Sequence, residues 1–372
     1  MRDGFRDRAV RRAIRELIAY ADRAGDYFRT YHERPKRAGQ LGTRVLAECP
    51  QDDCAIVMQG PVDGVDDFTL ETFRIYARHM PACRLVLSTW SDTPDEILDP
   101  IRAVGVDVLL NEKPPIPGFV NINMQLVSAA AGVRHAVERG ATWIVKSRTD
   151  QRFYDPDLMA VLIGLVRSFP AAAEGQRHRI VGLGAGSLLL APYHLTDQTV
   201  FGHAEDMLVY WSAPLRTQAL PAGWPPTLPE IFARVPTGEL CRHGAAESYL
   251  ASSFLERTGW RPTWTLEDSW AAFRDCFLVL DPGAGDFYWR KGHAWTLTEY
   301  DRTYDRVTNR LELGFREWLL LQSGQLPISA AQHYAAALDV PFNAPLPEAV
   351  DSAPRAAEAL SRPGPAAVRV RA

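Results

Sequence analysis

The chain has 372 residues, of which 47% are hydrophobic and 23% are charged. This composition is that of an average soluble globular protein and excludes a disordered, collagen-like or coiled-coil chain. The formal net charge of −4 provides no strong positive field, so we do not expect a general nucleic-acid binder. The length allows one large domain or two ordinary ones, because a typical domain holds roughly 100 to 200 residues.

The five cysteines are scattered along the chain and form no C-x-x-C pair. A disulfide framework or a zinc site is therefore not expected, and a reducing compartment fits best. The first residues carry arginines and aspartates where a signal peptide would have an apolar segment, and no run of about 18 apolar residues follows. We predict a cytoplasmic location, with the inner face of the cytoplasmic membrane as a second choice.

Residues 1–45 are predicted to form a basic, amphipathic helical extension. Apolar residues recur at helical spacing from Val10 to Ala21. Residues 1–40 also carry eleven arginines and lysines against six acidic residues. One interpretation is a helix on an anionic membrane surface, and the other is a solvated helix packed on the protein body. The shortage of large apolar residues favours the second interpretation, so peripheral membrane association is the secondary prediction.

Between residues 54 and 146, short apolar runs alternate with helical patterns. Strands are predicted at residues 54–58, 84–90, 106–110 and 142–146, and helices at 68–79, 95–104 and 121–139. This alternation indicates strands joined by crossover helices, so we predict an α/β fold with a mixed, mostly parallel sheet flanked by helices. Ligands of such sheets bind beyond the carboxyl ends of the strands, which are the loops to search for chemistry.

The second half of the chain has a less regular pattern. Helices are predicted at 158–169 and 248–257, strands at 179–183 and 187–190, an apolar packing segment at 207–211, and a proline-rich loop or lid at 214–240. The main domain is expected to span residues 50–300. A helical region at 301–345 and a disordered tail at 346–372 follow, since the tail is rich in alanine, proline and arginine without periodicity.

The strongest chemical signal is a cluster of charges at the end of the fourth predicted strand. Asp150 lies there among Lys146, Arg148 and Arg152. Charges at the end of an apolar strand must either pair with one another or meet a ligand. A polyphosphate with a divalent cation fits, because Asp150 would hold Mn²⁺ or Mg²⁺ and the basic side chains would neutralise diphosphate oxygens. The alternative is an ion cluster that satisfies itself.

Polar residues also follow the other predicted strands, at the same edge of the sheet. Amide side chains both donate and accept hydrogen bonds, as the recognition of a base or of sugar hydroxyls requires. Asn121, taken alone, is better explained as a helix N-cap. The predicted donor-binding residues are Gln59, Gly60, Pro61, Asn111, Glu112, Lys113, Asn121, Asn123 and Gln125, together with Lys146, Arg148, Thr149, Gln151 and Arg152.

Six motifs, in order, resemble the WavE lipopolysaccharide synthesis family. They lie at residues 56–61, 87–90, 111–114, 121–125, 146–152 and 201–207, and the resemblance continues through 268–270 and 288–289. That family is similar in turn to the GT-A glycosyltransferases, which transfer a sugar from a nucleotide donor. The resemblance therefore implies a GT-A-like, Rossmann-related fold and a role in building bacterial cell-surface polysaccharide.

The resemblance also implies a metal site. GT-A enzymes bind a divalent metal through a D-x-D motif after the fourth strand, and Thr149-Asp150-Gln151 keeps only one acid at that place. One carboxylate with substrate phosphates holds Mg²⁺ or Mn²⁺ less tightly than two, and arginines can replace the metal entirely. His293 stands where many of these enzymes place a late histidine on the metal. Asp150 and His293 are therefore the predicted metal ligands.

The resemblance implies a catalytic base as well. Inverting GT-A enzymes use an acid about a hundred residues after this motif, at a helix N-terminus, to take the acceptor proton. Glu247 has this spacing and begins a predicted helix, although a helix N-terminus also lowers the pKa of an acid. The adjacent acids Glu205 and Asp206, beside a glycine turn, are the rival base or part of the acceptor site. The other interpretation of Glu247 is an ordinary acid in a first helical turn.

We therefore predict an inverting, hexosyltransferase-type glycosyltransferase that moves a sugar from a nucleotide-sugar donor to a saccharide or lipid-linked saccharide acceptor. One alternative is a catalytically silent sugar-nucleotide-binding subunit of a polysaccharide assembly complex, because only one acid of the metal motif is kept. The other is a sugar nucleotidyltransferase. That class usually has a glycine-rich phosphate loop after the first strand, and residues 59–61 are too short for one.

Overall fold

A computed structural model of the chain describes residues 2–25, 33–41, 53–184, 186–218, 220–291 and 311–347. The chain divides into two compact units, Met1–Lys36 and Arg37–Ala372. The first unit contains helix α1 (Arg2–Ala24), as the apolar spacing predicted. On this helix Arg12 pairs with Glu16 one turn further on, at 2.9 Å. Among the described helices, none combines the length and the apolar character needed to cross a bilayer.

The second unit is built around a seven-stranded sheet. Its strands are β1 (Cys54–Gln59), β2 (Arg84–Trp90), β3 (Asp107–Asn111), β4 (Trp143–Arg148), β6 (Ile180–Leu183), β7 (Thr199–His203) and β8 (Phe277–Leu280). The spatial order is β3-β2-β1-β4-β7-β6-β8. Strand β7 runs antiparallel to both of its neighbours, and the other pairs are parallel. A separate antiparallel pair joins β5 (Gln151–Phe153) to β9 (Phe287–Trp289).

Helices connect and cover these strands. In chain order they are α2 (Phe68–His79), α3 (Asp95–Arg102), α4 (Ile122–Glu138), α5 (Leu158–Ser168), α6 (Ala204–Tyr210), α7 (Leu228–Arg234), α8 (Thr237–His243), α9 (Ala246–Arg257), α10 (Leu266–Asp275) and α11 (Phe315–Gln322). Short 3₁₀ segments lie at Ala38–Gln40, Val65–Asp67, Phe119–Asn121, Pro282–Gly285 and Ile328–Leu338. The fold is therefore the predicted mixed, mostly parallel α/β sheet flanked by helices, with further helical structure near both ends of the described chain.

The apolar runs form central strands because both faces of the sheet are covered. Every residue of β1 is buried, and alternate residues of a strand face opposite sides. Helix α4 packs on β1 and β2. Its approach depends on Gly132, since a Cβ there would lie 2.4 Å from Val57 Cγ1. The hydrophobic core thus continues from the sheet directly into this helix.

The predicted strands and helices between residues 54 and 146 are confirmed within two residues at each end. The predicted strand at 187–190 is wrong, because Leu188 forms only an isolated bridge with Glu312. The predicted loop at 214–240 contains α7 and the start of α8. The apolar segment 207–211 belongs largely to α6 and is mostly buried. Most of the predicted tail, from residue 348 onward, lies outside the described residues.

The direction of β7 decides which loops share an edge of the sheet. Trp143, at the start of β4, pairs with His203 at the end of β7, and Lys146 pairs with Val200. The segment before β7 therefore lies at the carboxyl edge of the parallel strands. The segment after β7, which begins α6, lies at the opposite edge.

Candidate active site

The carboxyl ends of the central strands lie side by side, as expected for a parallel sheet. Gln59, the last residue of β1, pairs with Arg148 of β4, and Trp90 of β2 pairs with Asn111 of β3. Asp150 follows directly after β4 and is almost fully buried. The loops that the sequence selected for chemistry therefore do meet at one edge.

Asp150 is surrounded by groups that stabilise its negative charge. Arg148 donates from Nε and Nη2 to the two carboxylate oxygens, at 3.0 and 3.2 Å. The Trp289 indole donates at 3.2 Å, and Lys291 Nζ lies 3.4 Å from Oδ2. Burial acts to raise the pKa of Asp150, but these donors and cations outweigh it and leave the pKa below its usual value. Asp150 is thus an ionised carboxylate inside a cationic cluster.

The donor set around Asp150 does not fit a resident metal well. Both carboxylate oxygens already accept hydrogen bonds, and two of the three neighbouring groups are cations. Among the described ranges, no group of three or more His, Cys, Asp or Glu side chains is arranged to hold a metal ion. His293, the second predicted ligand, lies outside the described residues. The metal therefore remains a prediction from the sequence.

Lys146 is fully buried beneath this cluster. Its ammonium donates to the Asp197 carbonyl at 2.8 Å and lies 4.6 Å from the centre of the Trp211 ring. Burial lowers the pKa of Lys146 to about 7, and the nearby charge of Arg148 acts in the same direction. Lys146 holds the segment before β7 in place through this hydrogen bond, and its ammonium adds positive charge beneath the cluster. Because the side chain is fully buried, it cannot itself contact a ligand.

Glu247 lies in the first turn of α9, where the resemblance placed the base. His194 faces it, with Nε2 3.6 Å from Glu247 Oε2, and the other imidazole nitrogen is 2.8 Å from the Gly186 carbonyl. Burial raises the pKa of Glu247, and the charge of Asp197 acts in the same direction, while His194 and Arg148 lower it. A carboxylate with a raised pKa and a remaining exposed fraction of 30% suits general base chemistry.

The loop after β1 packs against the loop after β4. Gly60 has a φ of +115°, and a Cβ there would lie 3.3 Å from Thr149 Oγ1. Thr149 donates from its hydroxyl to the Pro61 carbonyl at 2.5 Å, and its amide donates to the Gln59 carbonyl. Gln59 itself accepts a hydrogen bond from Ser128. These residues build the edge of the site, and Gly60 is required there because φ is positive.

The predicted amide readers make mostly internal contacts. Asn123 is buried and bonds the backbone of Ile116 and Arg216. Gln125 donates to the Asp197 carbonyl at 3.3 Å, and Asn111 donates to Ser88 and Thr89. Gln151 is buried beside Ser147 and Thr199. Among these amides only Asn121 is exposed: it occupies the N-cap position of α4 but makes no side-chain cap bond.

Two charged residues at the β3 end are exposed at the rim. Glu112 is exposed next to Asn111, and Lys113 pairs with Asp92 at 2.5 Å. Both remain accessible to a ligand at this edge.

Arg152 does not point into the cluster. Its guanidinium is buried against α2, where it donates to Thr72 Oγ1 at 2.8 Å and to the Phe68 carbonyl at 3.0 Å. The reason is strand geometry, because successive residues of β5 face opposite sides. The prediction that Arg152 contacts the donor is therefore corrected, and the residue ties β5 to α2.

Glu205 and Asp206 also lie away from the cluster. They begin α6, immediately after β7, and so stand at the opposite edge of the sheet from Asp150. Asp206 accepts hydrogen bonds from the backbone amides of Arg177 and His178, and Glu205 pairs with Arg177. The prediction that either acid serves as a base here is corrected by the reversed direction of β7.

Several residues of the site were not foreseen. His194 and Asp197 come from the irregular connection between β6 and β7, and Trp289 and Lys291 arrive with β9. Arg290 additionally pairs with buried Asp63 in the loop after β1. The motif at 288–289 was the only sequence signal for the residues that arrive with β9. Its pairing with β5 could not be foreseen, because the two strands are more than a hundred residues apart in the sequence.

Comparisons with known proteins agree with the interpretation of the motifs. The model of the WavE lipopolysaccharide synthesis family matches residues 54–224. Curated proteins gave no match. Among solved structures, the chain is similar to the crystal structure of mannose-1-phosphate geranyltransferase from Thermus thermophilus, with 19% identity and a TM-score of 0.24.

That structural similarity covers 38% of this chain and 44% of the solved chain, and a TM-score this low supports no conclusion about fold or function. The family match carries more weight, because it contains β1 to β7 and all of the predicted donor-binding residues. It indicates a role in lipopolysaccharide synthesis. Residues 54–224 of this chain therefore match the WavE lipopolysaccharide synthesis family, as the six motifs indicated.

Proposed function

We propose that the chain is a glycosyltransferase of cell-surface polysaccharide synthesis, with a GT-A-like fold. It would move a sugar from a nucleotide-sugar donor to a hydroxyl of a saccharide or lipid-linked saccharide acceptor. One observation carries the proposal. A cationic cluster of Arg148 and Lys291 shares the carboxyl edge of the sheet with Glu247, a half-buried carboxylate of raised pKa.

The cationic cluster suits the leaving group. As the bond between the anomeric carbon and the diphosphate oxygen breaks, its electron pair moves to the diphosphate, where negative charge grows. Arg148 and Lys291 both contact Asp150 and are partly exposed, so a diphosphate can approach the same cations. Asp150 holds them in place, and Lys146 adds charge from beneath when it is protonated.

Glu247 suits the acceptor. The acceptor oxygen attacks the anomeric carbon, and its proton passes to the Glu247 carboxylate, so the products are a glycoside and a free nucleoside diphosphate. Attack from the face opposite the leaving group inverts the anomeric centre. His194 lies beside Glu247, with Nε2 3.6 Å from Oε2, and its charge lowers the pKa of Glu247. Its imidazole is in turn oriented by the Gly186 carbonyl.

A thermal-shift screen tests this proposal on the full chain. Uridine and guanosine diphosphates and cytidine monophosphate are added to the wild type, to Arg148→Gln and to Arg234→Gln, an exposed arginine of α7. We expect one nucleotide to raise the melting temperature of the wild type and the control, and to lose this effect in Arg148→Gln, because a ligand stabilises the state that it binds.

Donor turnover separates the enzyme from its alternatives. An active transferase releases nucleoside diphosphate from its sugar nucleotide when acceptor is present. A nucleotide that binds but is never released from its sugar would favour the silent binding subunit, and formation of a sugar nucleotide from a sugar phosphate would favour the nucleotidyltransferase. Absence of any nucleotide effect at concentrations well above millimolar would contradict the donor site itself.

A further inference from the structure

A cavity lies between the start of α4, residues 216–218 and Pro221, and helices α8 and α9. Its volume is about 160 Å³. This is smaller than the roughly 300 Å³ of a typical drug-sized pocket, yet far larger than the space that a single water needs. The polar part of the lining comes from Arg216, Thr217, Gln218, His243 and Tyr249. The cavity therefore has room for one polar group of a larger ligand.

Arg216 is held rigidly at this cavity. The Asn123 side chain accepts a hydrogen bond from the Arg216 amide at 2.7 Å and donates to its carbonyl at 2.8 Å. The guanidinium lies 3.8 Å from the centre of the Tyr249 ring, an arrangement that fixes its plane. The Tyr249 hydroxyl is itself anchored to the Pro214 carbonyl at 2.6 Å. A binding group fixed in this way loses little freedom when a ligand arrives.

The charge of Arg216 is not compensated within the described part of the chain. Its Nη2 atom is buried and has no hydrogen-bond partner. It forms no ion pair with any described carboxylate, and none of the residues lining the cavity is acidic. Burial also lowers the pKa of Arg216. A guanidinium without an ionic partner gains free energy from a charge-assisted hydrogen bond to an acceptor oxygen in the cavity.

The cavity is separate from the face that carries Glu247. Tyr249 follows Glu247 by two residues in α9, and residues at that spacing do not face each other on a helix. A ligand in the cavity would therefore lie across the first turn of α9 from the general base. A group bound there is therefore another part of the acceptor and not the reacting hydroxyl.

We propose that this cavity binds an anionic oxygen group, a carboxylate or a phosphate, carried by the acceptor saccharide. Arg216 lines the cavity and its guanidinium can donate charge-assisted hydrogen bonds to such a group, and Thr217, Gln218 and His243 can supply further hydrogen bonds. The assignment to the acceptor depends on the proposed glycosyltransferase function. The presence of an anion site depends only on the geometry of Arg216.

Isothermal titration with two probes, inorganic phosphate and glucuronate, tests the site. The parent protein is the full chain with Arg148→Gln, which removes the competing diphosphate site. Three double variants add to this parent Arg216→Gln, Gln218→Glu or the control change Arg234→Gln. Arg216→Gln and Gln218→Glu should each weaken binding by about tenfold or more, because a charge-assisted bond is lost or a like charge is added. The control should bind as its parent does. The tighter probe identifies the anion as phosphate or carboxylate.

Gln218→Glu matters because Gln218 is exposed, so this variant tests the site without removing the contact between Arg216 and Tyr249. Equal binding in all variants, or no binding of either probe at millimolar concentrations, would overturn the proposal. Anion binding that depends on Arg216, together with a wild-type chain that binds no nucleotide, would keep the anion site and overturn the glycosyltransferase function. The expected combination is loss of anion binding when Arg216→Gln is added to Arg148→Gln, and unchanged nucleotide binding when Arg216→Gln alone is placed in the wild-type chain.

Discussion

Glu247 and His194 face each other across the site, with a carboxylate oxygen 3.6 Å from the imidazole Nε2. One residue comes from the first turn of α9 and the other from the connection that leads into β7. This arrangement couples the charge of Glu247, the proposed general base, to that of the neighbouring imidazole. Burial raises the pKa of Glu247, whereas the charges of His194 and Arg148 lower it, so these two residues oppose the effect of burial.

Glu247→Gln should lower the turnover of the transferase by about 10²- to 10⁴-fold, the usual contribution of a general base. Nucleotide binding should be retained, because the cations at Asp150 are untouched. Steady-state release of nucleoside diphosphate measures the first quantity and thermal shift the second. Glu205→Gln is the matched control, since Glu205 stands at the other edge of the sheet, and equal losses in the two variants would remove Glu247 from the mechanism.

The rate should rise with pH as Glu247 loses its proton, and the midpoint should lie above the ordinary carboxyl range because burial raises this pKa. The His194 imidazole, when charged, lowers the pKa of Glu247. His194→Gln removes that influence, so the midpoint should move to higher pH. A pH profile of kcat/KM for both proteins checks the shift. Profiles that coincide would mean that His194 does not act on the base.

Lys146 should make stability depend on pH. Its pKa is about 7 in the folded protein and 10.5 ordinarily, so the unfolded chain binds more protons between these values. The folded state therefore gains stability as pH rises through this window, by at most about 1.4 kcal/mol per pH unit. Lys146→Met should remove this gain. Urea unfolding at pH 7 and pH 9 measures it, with Lys113→Met, an exposed lysine, as the control. An unchanged slope in Lys146→Met would contradict the assignment.

Gly60→Ala should destabilise the fold by about 1 to 2 kcal/mol, the cost of placing an L-residue in a left-handed conformation. The added Cβ would also press on Thr149 Oγ1 at 3.3 Å. Gly64→Ala is the matched control in the same loop. Gly64 has a φ of −86° and no atom within 4 Å of the added Cβ, so this change should be neutral or slightly stabilising. Thermal melts of both variants make the comparison, and equal melting temperatures would contradict it.

Nucleotide binding should persist in EDTA, because Arg148 and Lys291 already place positive charge at Asp150. The same thermal-shift titration is made with EDTA and then with added Mn²⁺. Loss of binding in EDTA and its recovery with Mn²⁺ would instead support the metal that the sequence predicts at Asp150 and His293. Asp150→Asn separates the two cases, since it removes a metal ligand but leaves both cations in the chain.

The parallel half of the sheet and its active edge were predictable from the sequence. The strands ending at Gln59, Trp90 and Arg148 are buried apolar runs, and the strand ending at Asn111 is an apolar, partly exposed edge strand. Their order as βαβ units determines where their ends meet. These are local signals, each contained in fewer than ten residues.

The contacts that complete the site were not predictable in this way. Trp289 and Lys291 reach Asp150 only because β9 pairs with β5, and His194 reaches Glu247 only because α9 packs beside the segment before β7. The two misplaced acids illustrate the same limit. Glu205 and Asp206 follow a strand in the usual pattern, and only the pairing of β7 with β4 shows that the strand runs backwards.

The pairings of the sheet also differ in the length of chain that each must close. Strands β1, β2 and β3 pair through successive short crossovers. By contrast, Ile56 of β1 pairs with Val145 of β4, and Ile180 of β6 pairs with Phe277 of β8, in each case about ninety to a hundred residues further on. Closing so long a loop is slow, so the short-range and long-range pairings should form at different times during refolding. Amides of β1 and β2 should gain protection from hydrogen exchange first, and those of β6 and β8 only after α10 has docked.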